Sequence, residues 1–112
     1  MQIEEQYLEQ AVRLHQSCPV VDAHLDLAGE LLLHVNNGAR AVLRRHYLEE
    51  LREGGFNLVV SSVYLENQYL PEMGLRMAMD QIGVLLEEVD RNEEFLLVKT
   101  AQDLDRGLEE DR

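Results

Sequence analysis

Three ionisable side chains alternate with apolar ones in the segment 19–30 (PVVDAHLDLAGE): Asp22, His24 and Asp26. Side chains alternate across a β-strand, so these three are expected on one face. The Cα atoms of His24 and Asp26 would then lie about 6.5 Å apart. An imidazole and a carboxylate at that spacing can converge on one ion, and both bind zinc at about 2.0–2.2 Å. The spacing therefore indicates half of a metal site.

Two interpretations of this row of side chains compete. A His-x-Asp pair taken by itself favours a hydrogen-bonded histidine at the end of a strand. The apolar neighbours instead predict a buried strand, in which carboxylates are rare without a partner. A divalent cation would compensate a buried row, and this favours metal binding. Asp22 is expected either to orient a ligand or to bond a backbone group.

Hydrophobic periodicity predicts the elements that position this row. Helices are expected up to about Ser17, around residues 47–51 before Gly54 and Gly55, over 75–89, and after the capping box of residues 100–103. Strands are expected at about 20–26, at 56–60 continuing into 63–65, and at 95–98. The segment 27–40 is expected to form a short helix or an irregular loop.

The alternation of these elements predicts an α/β fold. Nearly continuous apolar strands separated by helices are typical of a parallel sheet covered on both faces. Two or three strands cannot close a barrel. Residues 1–112 are therefore expected to be the first part of a larger domain.

Composition excludes several classes of function. The net charge of −12 argues against a nucleic-acid partner and against an anionic membrane surface, since both require basic patches. No apolar run approaches the roughly 20 residues that span a bilayer, and the N-terminus lacks the features of a signal peptide. The single cysteine, Cys18, is typical of a reducing compartment. Together these features predict a cytoplasmic protein.

The remaining candidate residues carry weaker signals. His34 and His46 adjoin loop-like stretches and are predicted to be surface or packing residues, because neither has a second ligand at a useful spacing. Neither a phosphate-binding glycine loop nor a nucleophile elbow is present. An incomplete barrel would expose a sheet edge and an apolar face. Self-association into a homo-oligomer is expected through these surfaces.

Several segments resemble one known family. AVRLHQSCPVVDAHLDL resembles the opening of the membrane dipeptidase (renal dipeptidase) family of zinc peptidases, where a helix precedes a strand with an Asp-x-His-x-Asp row. YLEELREGGFNLVVSSVY is similar to the family's Leu-Arg-x-Gly segment and its strand ending Ser-Val-Tyr. LRMAMDQIGVLLEEVDRN, FLLVKT and AQDLDRGLEE follow in the family's order. The resemblance covers residues 9–112.

This resemblance implies an amidohydrolase-type (β/α)8 TIM barrel with a two-zinc site. His24 and Asp26 match the ligands of the first zinc, with Asp22 in support. The bridging glutamate, two further histidines and the catalytic aspartate would lie beyond Arg112. Residues 1–112 would then be the N-terminal segment of a single barrel domain, without catalytic residues and inactive alone. Leu25 and Ser61 depart from a common Asn and a common aromatic residue, which bears on substrate preference.

The activity that the resemblance implies is hydrolysis of dipeptides by a metal-activated water. Two zinc ions would share the water, and one would stabilise the developing oxyanion. Two alternatives stay open. One is another amidohydrolase-type metal hydrolase, acting on a different amide or a lactam. The other is a non-catalytic α/β interaction module that binds a partner through its exposed edge.

Overall fold

The computed structural model describes residues 4–112, which form a mixed α/β structure of two parallel strands and five α-helices. Its elements in chain order are α1 (Glu5–Ser17), β1 (Val21–Leu25), α2 (Leu27–Asn36), a π-helical turn (Leu43–Tyr47), α3 (Leu48–Glu53), β2 (Leu58–Ser61), a 3-10 turn (Asn67–Tyr69), α4 (Gly74–Asp90) and α5 (Ala101–Glu110). The predicted helices and the first strand are therefore present, and the 27–40 segment contains a full helix. The arrangement is consistent with part of a TIM barrel.

The two strands lie side by side and run in the same direction. The register pairs Val21 with Leu58, Asp22 with Val59 and Leu25 with Ser61, with an irregularity between Asp22 and Leu25. The pairing extends one step further, because the backbone N–H of Ser62 donates to the carbonyl of Leu25 at 2.9 Å. Since the strands are parallel, their carboxyl ends adjoin at one edge of the sheet. This brings the residues that follow β1 and β2 together.

The hydrophobic core lies between α2, the π-helical turn and α4. Its buried members are Leu27, Leu31, Val42 and Leu43, against which Leu25, Val35, Ala39, Tyr47, Val84, Leu85, Val89 and Phe95 pack. Leucines at i and i+4 place one apolar stripe of α2 against this core. Leu27, the first residue of α2, belongs to this core, and α2 begins directly after Asp26.

Two local signals set the helix ends that the sequence predicted. Gly55 adopts φ +73°, and the N–H of Phe56 donates to the carbonyl of Leu51 at 3.0 Å, so a Schellman motif ends α3. At the other end of the chain, Thr100 caps α5 by accepting from the N–H of Asp103, which bonds back to the N–H of Thr100.

The predicted strand over residues 95–98 is wrong, as is the continuation of the second strand into 63–65. Phe95 donates its N–H to the carbonyl of Asn92, and the guanidinium of Arg112 donates to the carbonyl of Phe95. These two bonds occupy the N–H and the carbonyl of Phe95, which a ladder would need. A groove of about 470 Å³ separates this extended segment from β2. Apolar composition alone cannot form a strand without a hydrogen-bonded neighbour.

The prediction that both strands are covered is also wrong for the residues described. Val21 is 47% exposed and Val60 is 48% exposed, so neither strand is enclosed. The radius of gyration is 16.3 Å, against about 13 Å for a compact domain of this length. Helix α1 has no buried residue. The chain therefore presents an open two-stranded sheet with much apolar surface.

Across residues 4–112, no helix is long and apolar enough to cross a bilayer. Cys18 is exposed, and its thiol donates to the carbonyl of Leu14 at 3.3 Å. The assignment of residues 1–112 to the start of one barrel domain stays a prediction.

Candidate metal site

The side chains of His24 and Asp26 meet at the carboxyl end of β1. Nε2 of His24 lies 3.3 Å from Oδ1 of Asp26. His24 belongs to the strand, whereas Asp26 is the residue between β1 and α2 and occupies the N-cap position of that helix. The two side chains are 74% and 54% exposed, so the pair opens to solvent. The strand thus brings an imidazole nitrogen and a carboxylate oxygen to one point, as the two-residue spacing predicted.

Two neighbouring side chains hold this pair in place. Oδ1 of Asp22 accepts a hydrogen bond from the backbone N–H of His24 at 3.0 Å. This local side-chain to backbone bond fixes the chain where the β1–β2 register is irregular. On the other side, the hydroxyl of Ser62 donates to Oδ1 of Asp26. Asp22 therefore restrains the backbone of His24, and Ser62 restrains the carboxylate of Asp26.

The sequence predicted that Asp22, His24 and Asp26 are buried, and this burial was the argument for a bound cation. The structure does not show it. His24 and Asp26 are exposed and Asp22 is half-buried. The reason is the open sheet, since no element among residues 4–112 covers the face that carries them. Exposed charges need no compensating cation, because water solvates them. The case for a metal therefore depends on the donor atoms and their geometry.

The donor atoms fit part of a zinc site. Zinc binds histidine nitrogen and carboxylate oxygen, and a catalytic zinc usually has three protein ligands. His24 and Asp26 supply two such donors at a strand end, which is where TIM-barrel active sites lie. Within the described part of the chain, no cluster of three or more His, Cys, Asp or Glu side chains is placed to hold a metal ion. The pair is thus an incomplete ligand set of suitable chemistry.

The rings of His34 and His46 are in contact, although neither has a second ligand at a useful spacing in the sequence. Their rings stack with centroids 4.8 Å apart and an interplanar angle of 18°. The faces of the two rings are in contact, so this stacking joins the end of α2 to the π-helical turn. The turn around Gly38, which has φ +87°, returns the chain and makes this contact. We assign the two histidines to packing.

Sequence reasoning missed the role of Ser62. In the sequence, Ser62 stands out only as the first residue of the Ser-Val-Tyr segment. The signal that could have found it is the topology. Residues that directly follow two paired parallel strands lie side by side. That argument places residue 62 next to residue 26 once β1 and β2 are known to pair.

The fold and the site define a class: an α/β protein with a histidine and an aspartate at the carboxyl end of a first parallel strand. A family model described as membrane dipeptidase (Peptidase family M19) matches residues 8–112. The chain belongs to this family, and the resemblance inferred from the sequence is confirmed. No curated protein and no solved structure matches the chain significantly.

Proposed function

We propose that the protein to which this chain belongs is a zinc-dependent dipeptidase and that His24 and Asp26 bind one of its zinc ions. Membership of the membrane dipeptidase family supports a peptidase. The single observation that carries the assignment of residues is the 3.3 Å approach of His24 Nε2 to Asp26 Oδ1 at the carboxyl end of β1. The substrate we propose is a dipeptide.

Bound zinc would supply Lewis acidity towards the peptide carbonyl and would acidify a water molecule. The residues of this chain prepare the site for it. His24 offers a ring nitrogen from the strand, and Asp26 offers a carboxylate from the start of α2. Asp22 fixes the backbone that carries His24. In this proposal none of the three transfers a proton, and the groups that do so lie outside residues 4–112.

The exposure of the pair agrees with a role in a wider site. With side chains 74% and 54% exposed, His24 and Asp26 remain open to further ligands and to substrate. Two donors do not hold a catalytic zinc firmly, since three protein ligands are usual. We therefore expect residues 1–112 by themselves to show no dipeptidase activity. The cytoplasmic location and the absence of nucleic-acid and membrane partners remain predictions from composition.

The experiment is a substitution in the longest native product of the gene. His24→Ala should lower the zinc content per chain, because one donor nitrogen of the pair is lost. Hydrolysis across a panel of dipeptides should fall by more than about 100-fold, because removal of a residue that only orients a metal ligand already costs roughly 10–100-fold. His46→Ala is the matched control, because it removes an exposed histidine outside the site.

Unchanged zinc content and unchanged hydrolysis in His24→Ala would overturn the assignment. Zinc binding with hydrolysis of other amides or of lactams, but not of dipeptides, would favour the alternative metal hydrolase. Absence of both zinc and hydrolysis in the unaltered protein would favour the non-catalytic interaction module.

A further inference from the structure

Ser62, which directly follows β2, contacts the proposed zinc ligand Asp26. Its hydroxyl donates to Oδ1 of Asp26, and its backbone N–H donates to the carbonyl of Leu25 at 2.9 Å. The two bonds hold Ser62 at both its backbone and its side chain. The backbone bond belongs to the β1–β2 pairing, so the position of the hydroxyl is set by the sheet.

From this contact we propose that Ser62 is a positioning residue that orients the carboxylate of Asp26 for metal binding. The proposal rests on the proposed function. The hydrogen bond from Ser62 and the approach of His24 Nε2 both involve Oδ1. This leaves Oδ2 available to a metal ion. A hydroxyl that donates to an ionised carboxylate forms a charge-assisted bond, which is stronger than a neutral one.

The need for such a bond follows from the exposure of Asp26. Its side chain is 54% exposed and does not cap α2, so packing restrains it little. The terminal torsion of an aspartate is broad, so an unrestrained carboxylate samples many orientations. Partners that orient metal ligands typically account for roughly 10–100-fold in metal affinity. Ser62 is the hydroxyl placed to act in this way.

The chain offers a matched control one residue earlier. Ser61 is the last residue of β2, and its hydroxyl is buried without a hydrogen-bond partner among residues 4–112. Ser61→Ala removes the same group from the adjacent position without removing a contact to Asp26. Ser62→Thr keeps a hydroxyl at the position and tests for rescue.

The experiment measures zinc affinity by competition with a chelator, together with the free energy of unfolding, in the longest native product. We expect Ser62→Ala to weaken zinc binding by about 10–100-fold, Ser61→Ala to leave it unchanged, and Ser62→Thr to restore most of it. A purely structural role would lower stability without this selective loss of affinity.

Wild-type zinc affinity in Ser62→Ala would overturn the inference while leaving the dipeptidase proposal intact. Equal losses of affinity in Ser61→Ala and Ser62→Ala would also overturn it, because the effect would then come from β2 as a whole. If the unaltered protein bound no zinc, the proposed function would fail and the role of Ser62 would fail with it.

Discussion

The carboxylate of Glu88 accepts a hydrogen bond of 3.0 Å from the backbone N–H of Leu43, a residue 45 positions away. Glu88 is 4% exposed and Leu43 is fully buried. The bond therefore ties the first residue of the π-helical turn to α4 inside the core. The amide of Asn92 donates in turn to the backbone carbonyl of Glu88, which holds the last turn of α4.

Replacement of Glu88 tests this connection. Glu88→Ala should lower the free energy of unfolding by about 2–3 kcal/mol, because it leaves the N–H of Leu43 buried without a partner. Glu88→Gln keeps an acceptor oxygen and should cost less than about 1 kcal/mol. Urea unfolding of the two variants measures the difference. Equal losses would show that the acceptor at Leu43 is not the important feature.

Acid should weaken the start of α5 through Asp103. Its pKa lies below the ordinary value, first because the backbone N–H of Lys99 donates to it and next because the Thr100 hydroxyl does. A carboxyl whose pKa is lowered on folding contributes stability above its unfolded pKa of about 4, and this contribution is lost as the pH falls through the lower folded value. Asp103→Asn should remove this pH dependence of unfolding, while Asp105→Asn, on the same helix, should retain it. Identical acid profiles for Asp103→Asn and wild type would contradict the prediction.

At alkaline pH, Tyr47 should ionise above the ordinary pKa of a tyrosine. Burial raises the pKa of its phenol, and the charges of Glu30 and Glu50 raise it further. The neutral phenol is therefore favoured in the folded state. Its contribution to stability is complete below the unfolded pKa of about 10 and is lost as the pH rises through the higher folded value. In a titration followed by phenolate absorbance, Tyr47→Phe should remove an ionisation step above the ordinary tyrosine value of about 10. Tyr7→Phe is the matched control, because Tyr7 is 56% exposed. An unchanged titration curve above that value in Tyr47→Phe would contradict the prediction.

Residues 1–112 should self-associate when produced alone. Within residues 4–112 β2 pairs on one side only, and its Val60 is 48% exposed. Unpaired strand edges with exposed apolar side chains template further pairing. Val60→Lys should shift sedimentation towards monomer, whereas Gln102→Lys adds the same charge on exposed α5 and should not. A compact, concentration-independent monomer for the unaltered segment would refute this expectation.

Local patterns were sufficient for the helices and for the first strand. The apolar period of α4, the glycine pair after α3 and the capping box of α5 act over a few residues, so the sequence displays them directly. The alternation of side chains along a strand also predicted the approach of His24 to Asp26, although Asp26 itself lies between β1 and α2.

The predictions that the structure contradicts depended on residues that are distant in the sequence. The segment 95–98 has the composition of a strand, but a strand needs a partner, and a groove lies between this segment and β2. The burial expected around Asp22, His24 and Asp26 likewise required elements packed over the sheet. The Glu88–Leu43 and Ser62–Asp26 bonds join residues 45 and 36 positions apart, so no local pattern reveals them.

The shared register of β1 and β2 sets where this chain tolerates a change in length. A one-residue deletion within β2 would turn the following side chains to the opposite face, and Ser62 would leave Asp26. An insertion at the turn of Gly54 and Gly55 comes before the strand and can be absorbed there, because the register begins again where Asn57 bonds to Val20. Relatives of this chain should therefore vary in length ahead of residue 57 and keep a constant length from residue 58 to residue 62.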